Sequence, residues 1–161
     1  MGSMSLARKR LSRRQAVRRA LNLVNGTTAA GLLVARIGGV PVHRGPGGLL
    51  LAGGWKLGLP HAAAFTVGNV ILYRSRVAQA FDAAPASALL RHEARHSSQY
   101  AVLGLAFLPL YFAAAGYSRL RTGDPASSNI FEVLAGLADG GYRPPPSSPH
   151  RDGRKCPNRG A

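Results

Sequence analysis

Residues 88–100 have the sequence ALLRHEARHSSQY and place the run His92-Glu93-Ala94-Arg95-His96 inside a helix-forming segment. Side chains four residues apart lie on one face of an α-helix, so the imidazoles of His92 and His96 can reach one metal ion. Glu93 lies one step round the helix, where its carboxylate can hold and deprotonate a metal-bound water. The spacing predicts a helix over residues 86–103 that carries two zinc ligands and a general base.

Two imidazoles do not complete a catalytic zinc site, so a third protein ligand is needed. An extended motif would require Gly at position 99 and His at position 102, where this chain has Gln99 and Val102. Glu132 is favoured, because a predicted helix over 129–139 can return to the first helix as a hairpin. Alternatively, Glu132 and Asn129 form a helix capping box. The other candidates are His43, His61, His150, Asp82, Asp124, Asp139 and Asp152.

Three further residues are candidates for supporting the ligands. Asp139 follows Glu132 by two helical turns, so it is expected on the same face, either orienting a metal-bound imidazole or exposed as a surface carboxylate. Gln99 and Tyr100 follow His96 by about one turn and can line the site or contact its ligands. For Tyr100, packing in the core is the preferred interpretation.

The composition limits the class of protein. The chain has 161 residues, is 46% hydrophobic and has 21 Lys and Arg against 6 acidic residues, a net charge of +15. These values predict one domain over 12–142, between a tag remnant with a basic arm (1–11) and a disordered, basic, Pro-rich tail (143–161). The single Cys156 excludes an internal disulfide. No secretory signal is recognised, so a cytoplasmic location is expected.

The first helix is predicted over residues 12–25, with a capping box between Ser12 and Gln15. One face is Arg-rich and can bind the headgroups of an anionic membrane or, less favourably, nucleic acid, since no aromatic residues are interleaved for base stacking. The alternative is a solvated face on a helix docked through its apolar side. That apolar side consists of Val17, Ala20, Leu21 and Val24.

The region between this helix and the motif predicts a sheet. Apolar runs broken by Gly and Pro occupy residues 32–37, 40–43, 49–52 and 63–73. Gly68 is expected to mark a bulge or a close approach of another segment in the last run. Helices are predicted over 106–117 and 129–139. The fold class is therefore α+β, with a small antiparallel sheet packed on helices.

Residues 97–118 contain no charged side chain and approach the length of a membrane span. A full crossing would carry the chain about 30 Å from His96, leaving residues 119–131 to bring Glu132 back. Gly104 and Pro109 instead predict a broken or angled helix pair, and burial in the core is favoured. A peripheral surface that dips into a membrane is the alternative.

The residues also resemble a family. The segments Arg91–Tyr100, Gly104, Phe107–Tyr111 and Asn129–Glu132 are similar to a pattern of small bacterial zincin-like proteins: H-E-x-x-H-x-x-Q-Y, a Gly, F-L-P-x-Y and N-x-F-E. The resemblance covers about residues 63–140. It implies a minimal zincin-like metallopeptidase fold that binds one Zn²⁺, with Glu93 as general base and the ligands His92, His96 and Glu132. Gly136 stands where better-known relatives of this type have an Asp.

Three functions follow from these observations. The leading hypothesis is a zinc-dependent hydrolase, a small metallopeptidase whose peptide substrate pairs with the edge of the strand at 65–73. The second keeps the metal but acts on a small molecule in a biosynthetic pathway. The third is a basic binding module without catalysis.

Overall fold

The computed structural model describes residues 10–82 and 87–142 and contains helices and strands in the α+β arrangement that the sequence predicts. Most of the predicted basic arm and the whole predicted tail lie outside these residues. Short 3-10 turns at Pro46–Gly48, Ser75–Val77 and Gly104–Ala106 connect the main elements. Those elements are α1 (Arg13–Val24), α2 (Thr27–Ile37), β1 (Val42–Arg44), β2 (Leu50–Gly53), β3 (Ala64–Val67), β4 (Val70–Tyr73), α3 (Gln79–Asp82), α4 (Ala88–Leu103), α5 (Phe107–Thr122) and α6 (Ile130–Ala135).

The sheet has the strand order β1-β2-β4-β3. The pairs β1/β2 and β3/β4 are antiparallel, but β2 and β4 are parallel, so the prediction of an antiparallel sheet is wrong. The parallel pair arises because the chain after β2 crosses to the outer edge, forms β3 there, and returns through β4 beside β2. The predicted single run at 63–73 is therefore a hairpin. Gly68, with φ of 60°, lies in its tight turn and not in a bulge. The predicted close approach is present, because a Cβ atom there would lie 2.4 Å from the carbonyl carbon of Thr27.

Residues 32–37, which were predicted as a strand, belong to α2. The side chain of Asn25 accepts a hydrogen bond from the backbone N–H of Thr27 at 3.1 Å, next to the left-handed Gly26, and so starts a second helix directly after α1. Gly31 faces the hairpin so closely that a Cβ atom there would lie 2.4 Å from the carbonyl oxygen of Val67. Small residues let this helix lie directly on the sheet, which the apolar run alone did not indicate.

Helix α1 has the predicted capping box, but its rotation is opposite to the prediction. Asn22 is its buried residue, whereas the apolar side chains Val17, Leu21 and Val24 are exposed. The amide of Asn22 donates to Asn69 Oδ1 at 3.0 Å and to the carbonyl oxygen of Ser97 at 2.9 Å. These buried hydrogen bonds hold the side of α1 that carries Asn22 against the core, because an unpaired amide inside the protein would be costly.

The core lies on both faces of the central strand β4. Val70 and Leu72 pack with Tyr100 of α4 in one cluster, and Ile71 packs with Leu90 of α4 in the other. Successive strand residues point to opposite faces, which is why a fully buried strand is apolar at every position. Helix α4 therefore contacts both clusters and is held rigidly across the sheet.

The uncharged segment 97–118 is broken at Gly104, whose φ of 59° interrupts the helical path. The rings of His96 and Tyr111 lie 6.1 Å apart, whereas 15 residues of straight helix would separate them by about 22 Å. The prediction of an angled helix pair is thus confirmed. The expected burial is wrong, because Phe107 and Ser118 are the buried residues of α5.

By length and composition, one described helical stretch, Ala88–Thr122, is long and apolar enough to cross a membrane. The break at Gly104 lies within this stretch, so it does not run straight. Helices α1 and α2 pass the same test only as a pair, which is bent by 74°.

Candidate metal centre

Two elements bring three potential metal ligands together. The buried face of α4 carries His92 and His96, and α6 carries Glu132. The two Nε2 atoms lie 3.1 Å apart, and Glu132 Oε2 lies 3.2 Å from His92 Nε2 and 3.6 Å from His96 Nε2. Ligands bound to a tetrahedral zinc ion at 2.0–2.1 Å are separated from one another by about 3.4 Å. The observed triangle has this size.

Hydrogen bonds on the far side of each imidazole fix its tautomer. His92 Nδ1 lies 3.1 Å from the carbonyl oxygens of Ala135 and Gly136, and His96 Nδ1 lies 2.8 Å from Gln99 Oε1. Because these partners are acceptors, each Nδ1 carries the proton and each Nε2 presents a lone pair. Both Nε2 atoms lie within 3.6 Å of Glu132 Oε2.

Electrostatics of the cluster favour a positive charge at its centre. Glu132 Oε2 is buried and makes no hydrogen bond to the described residues. Burial opposes ionisation, but the approach of His92 and His96 lowers the pKa of Glu132 to about 2. Burial disfavours a charged imidazole, yet Glu132 and Glu93 raise the pKa of His96. The Nε2 atoms of His92 and His96 and the Oε2 atom of Glu132 therefore form a group that attracts either a proton or a metal ion.

Glu93 lies beside the ligands on the face of α4 that contacts the sheet. Thr66 of β3 donates its hydroxyl to Glu93 Oε2 at 2.6 Å. Burial raises the pKa of Glu93, and the nearby His96 and the hydrogen bond from Thr66 oppose that rise without cancelling it. A carboxylate with a raised pKa accepts a proton more readily than one in water, as a general base requires.

Two tyrosines complete the surroundings of Glu132. Tyr111 of α5 donates its hydroxyl to Glu132 Oε1, leaving Oε2 for the cluster. Burial, followed by the negative charge of Glu132, raises the pKa of Tyr111, so its hydroxyl remains a donor at neutral pH. The ring of Tyr142 lies 5.9 Å from the ring of His92.

Of the predicted supporting residues, Gln99 contacts the site directly and Tyr100 does not. Gln99 accepts from His96 and donates through Nε2 to the carbonyl oxygen of Phe131 at 2.9 Å, so it joins α4 to α6. Tyr100 packs against Phe107 in the core, with ring centroids 4.3 Å apart. The preferred interpretation of Tyr100 as a core residue agrees with this position.

Asp139 does not lie on the same helical face as Glu132, because α6 ends at Ala135 and the chain turns at Gly136, with φ of 85°. Its carboxylate instead pairs with Arg95 at 2.7 Å. Arg95 also donates to the carbonyl oxygen of Ala135 at 2.6 Å, the same atom that lies next to His92 Nδ1. The predicted direct contact of Asp139 with an imidazole is therefore wrong, and the connection runs through Arg95.

The remaining candidate ligands are elsewhere. Among the described residues, the three-residue group of possible ligands is His92, His96 and Glu132, while His43 and His61 are exposed. The capping-box alternative for Glu132 fails, since Asn129 caps α6 through the N–H of Phe131 and Glu132 faces the imidazoles. His150, Asp152 and the side chain of Asp82 lie outside the described part of the chain.

Sequence reasoning missed Thr66, Arg95 and Tyr111 as contacts of the site. Tyr111 is the last residue of the F-L-P-x-Y segment, and its place in that pattern is the feature of the sequence that could have indicated a contact with the site. Thr66 and Arg95 carried no signal, because their contacts depend on how β3 and α6 pack on α4.

Comparisons with models of known protein families, with curated proteins and with solved structures find no match to this chain. The resemblance to zincin-like proteins remains a prediction, and the function is argued from the site itself.

Proposed function

We propose that the protein is a zinc-dependent hydrolase, and specifically a small metallopeptidase. The observation that carries the proposal is the triangle of His92 Nε2, His96 Nε2 and Glu132 Oε2, with edges of 3.1, 3.2 and 3.6 Å. Both imidazoles are held in the tautomer that binds metal, and within the described part of the chain the carboxylate oxygen has no hydrogen-bond partner. These donors fit Zn²⁺, which favours nitrogen and carboxylate ligands in tetrahedral sites.

A zinc ion held by these ligands would supply Lewis-acid polarisation of a substrate carbonyl and acidify a water. The chain itself provides the base. Glu93 accepts the proton of the attacking water, and Thr66 orients its carboxylate through the hydrogen bond to Oε2. Tyr111 holds the second oxygen of Glu132 and so keeps that ligand from rotating.

The position of β3 favours a peptide over a small-molecule substrate. β3 is the outermost strand of the sheet, and its residue Thr66 contacts Glu93. An extended peptide that adds to a sheet edge gains backbone hydrogen bonds along its length. A peptide bound along β3 would lie beside the general base, which places a backbone carbonyl within reach of attack.

The first test is metal content of the purified full chain, measured by mass spectrometry. We expect about one zinc per chain, with large losses in His96→Ala and Glu132→Ala. Ser98→Ala is the matched control, because Ser98 is on the same helix, is exposed and donates its hydroxyl to the carbonyl oxygen of Ala94 in its own helix. Zinc content unchanged by either ligand substitution would refute the site.

The second test separates catalysis from metal binding. Glu93→Gln preserves the shape of the side chain but removes its basicity, so we expect normal zinc content and no cleavage of a quenched peptide library. Cleavage by Glu93→Gln at the wild-type rate would refute Glu93 as base. Zinc binding without cleavage of any peptide would refute the peptidase and leave a metal-dependent enzyme that acts on small molecules.

The expected cytoplasmic location stays a prediction.

A further inference from the structure

Helices α1 and α2 are turned so that their polar or small residues face inward and their apolar residues face outward. The buried residues are Asn22 in α1, and Thr27, Thr28, Gly31 and Ala35 in α2. The exposed side chains include Leu21, Leu23, Val24, Leu32, Leu33 and Ile37. A helix on the surface of a water-soluble protein has the reverse arrangement.

This orientation is fixed by a buried hydrogen-bond network. Asn22 donates to Asn69 and Ser97, and its Oδ1 accepts from Thr27 Oγ1 at 3.0 Å. Asn69 in turn donates to Thr28 Oγ1 at 2.9 Å. Rotating either helix to bury its apolar side would leave these polar groups unpaired. The exposed apolar faces are therefore built into the fold.

Helix α5 presents an apolar face as well. At about 100° per residue, its exposed residues span an arc of roughly 200°. Arg119 and Arg121 lie at the two borders of this arc in the last turn, and the arc between them is uncharged. Its members are Pro109, Leu110, Phe112, Ala113, Gly116, Tyr117 and Leu120. Leu120 is 92% exposed.

The two helix connections meet at one place. The side chain of Asn25, between α1 and α2, donates to the carbonyl oxygen of Tyr100 at 3.0 Å, next to the break between α4 and α5. Residues 23–26 and 102–105 together are here called the corner. Its apolar side chains are among the most exposed in the described chain, with Val24 at 87% and Val102 at 81%.

The corner contains no charged residue, and the nearest charged residues lie further along each helix. Residues 20–35 and 97–118 contain no Lys, Arg, Asp or Glu. The first charged residues beyond these segments are Arg19, Arg36, Arg95 and Arg119. With a rise of about 1.5 Å per residue, they lie roughly 6 to 21 Å along their helices from the nearest residue of the corner.

We propose that the corner inserts into a lipid bilayer with anionic headgroups, with the outward faces of α1, α2 and α5 against the acyl chains. An uncharged apolar tip followed by arginines on three helices matches the layering of hydrocarbon and phosphate in a bilayer. The net charge of +15 adds attraction to an anionic surface. The proposal does not depend on the metal site.

The test is flotation of the purified full chain with vesicles of phosphatidylcholine, alone or with 30% phosphatidylglycerol. We expect co-flotation with the anionic vesicles, reduced about tenfold or more by Val24→Asp or Val102→Asp, because each places a charge where an apolar side chain enters the bilayer. The matched control is Leu59→Asp, which changes an exposed apolar residue in the loop before β3. The control should float like the wild type, and melting curves should show that all variants are folded.

Depth is measured separately with brominated lipids. Fluorescence of Val24→Trp should be quenched more than that of the wild type, whose one tryptophan is the buried Trp55, and the added fluorescence of Leu59→Trp should not be quenched. Flotation that 0.5 M NaCl reverses, without quenching, would show arginine binding to phosphate alone and overturn insertion. No flotation would also overturn it, as would a chain dimer that Val24→Asp dissociates, since the corner would then be an interface between copies.

Discussion

Replacing Gln99 with leucine tests whether the contacts around the imidazoles matter for metal binding. Gln99 Oε1 accepts from His96 Nδ1 at 2.8 Å, and Gln99 Nε2 donates to the carbonyl oxygen of Phe131 at 2.9 Å. Leucine is similar in volume but has neither group. The variant therefore loses the acceptor that holds the His96 tautomer and one of the bonds that tie α6 to α4.

The expected loss follows from these two hydrogen bonds. Substitution of a residue that orients a metal ligand costs about 10- to 100-fold in metal affinity. At about 1.4 kcal/mol per tenfold change, this corresponds to roughly 1.4–2.8 kcal/mol, which two net hydrogen bonds of about 1 kcal/mol each account for. Gln99→Glu keeps a stronger acceptor for His96 but loses the donor to Phe131, so its affinity should lie between those of Gln99→Leu and the wild type.

Zinc affinity is measured by competition with a coloured chelator at pH 7.5, using the full chain. Ser98→Ala is the control, since the exposed hydroxyl of Ser98 donates to Ala94 within α4. A Gln99→Leu affinity within threefold of the control would refute the argument that this residue prepares His96 for the metal. So would equal affinities of Gln99→Glu and Gln99→Leu, because the two variants differ in the acceptor.

Three further outcomes are expected. Asn22→Ala should lower the free energy of unfolding in urea by about 2–4 kcal/mol, since it leaves partners at Asn69 and Ser97 unpaired; a loss under 1 kcal/mol contradicts the buried network. In the peptide assay, Thr66→Val should lower kcat about tenfold or more at unchanged zinc content, whereas equal kcat would contradict its role in orienting Glu93. Hydrogen bonds from Ser127 and Ala126 lower the pKa of Asp124, so its stabilisation is present above its ordinary value of 3.8 and is lost as pH falls through the lowered pKa. Asp124→Asn should therefore flatten the acid end of the stability curve, and an unchanged acid slope would count against this.

The candidate site was largely predictable because helical spacing is a local property. His92, Glu93 and His96 follow from a single run of residues, and Glu132 was chosen among few carboxylates as the one on a returning helix. Asp139 was misplaced because a glycine with positive φ ends α6 four residues after Glu132, and the sequence does not indicate whether a Gly stops a helix or lies within it.

The fold was predicted less well wherever the outcome depended on distant partners. The rotation of α1 is set by the contacts of Asn22 with Asn69 and Ser97, which are 47 and 75 residues away. The parallel pairing of β2 with β4 likewise joins two strands that are separated in the sequence by β3. Residues 32–37 have strand-like composition but lie in α2. Gly31 allows this helix to pack closely on the sheet, and that contact is not visible in the local sequence.

The proposed metal ligand on α6, Glu132, also bears on how the end of the described chain is held. Glu132 reaches α4 from α6, a helix of six residues. The carbonyl oxygens of Phe131 and Ala135 in α6 accept hydrogen bonds from Gln99 and Arg95 of α4. A helix this short is not stable by itself. Zinc would hold this segment against α4, so chain lacking metal should be cut by chymotrypsin after Phe131, Leu134 or Leu137 much sooner than zinc-bound chain. Quality control by cellular proteases would then remove the chain that lacks metal and spare the chain that holds it.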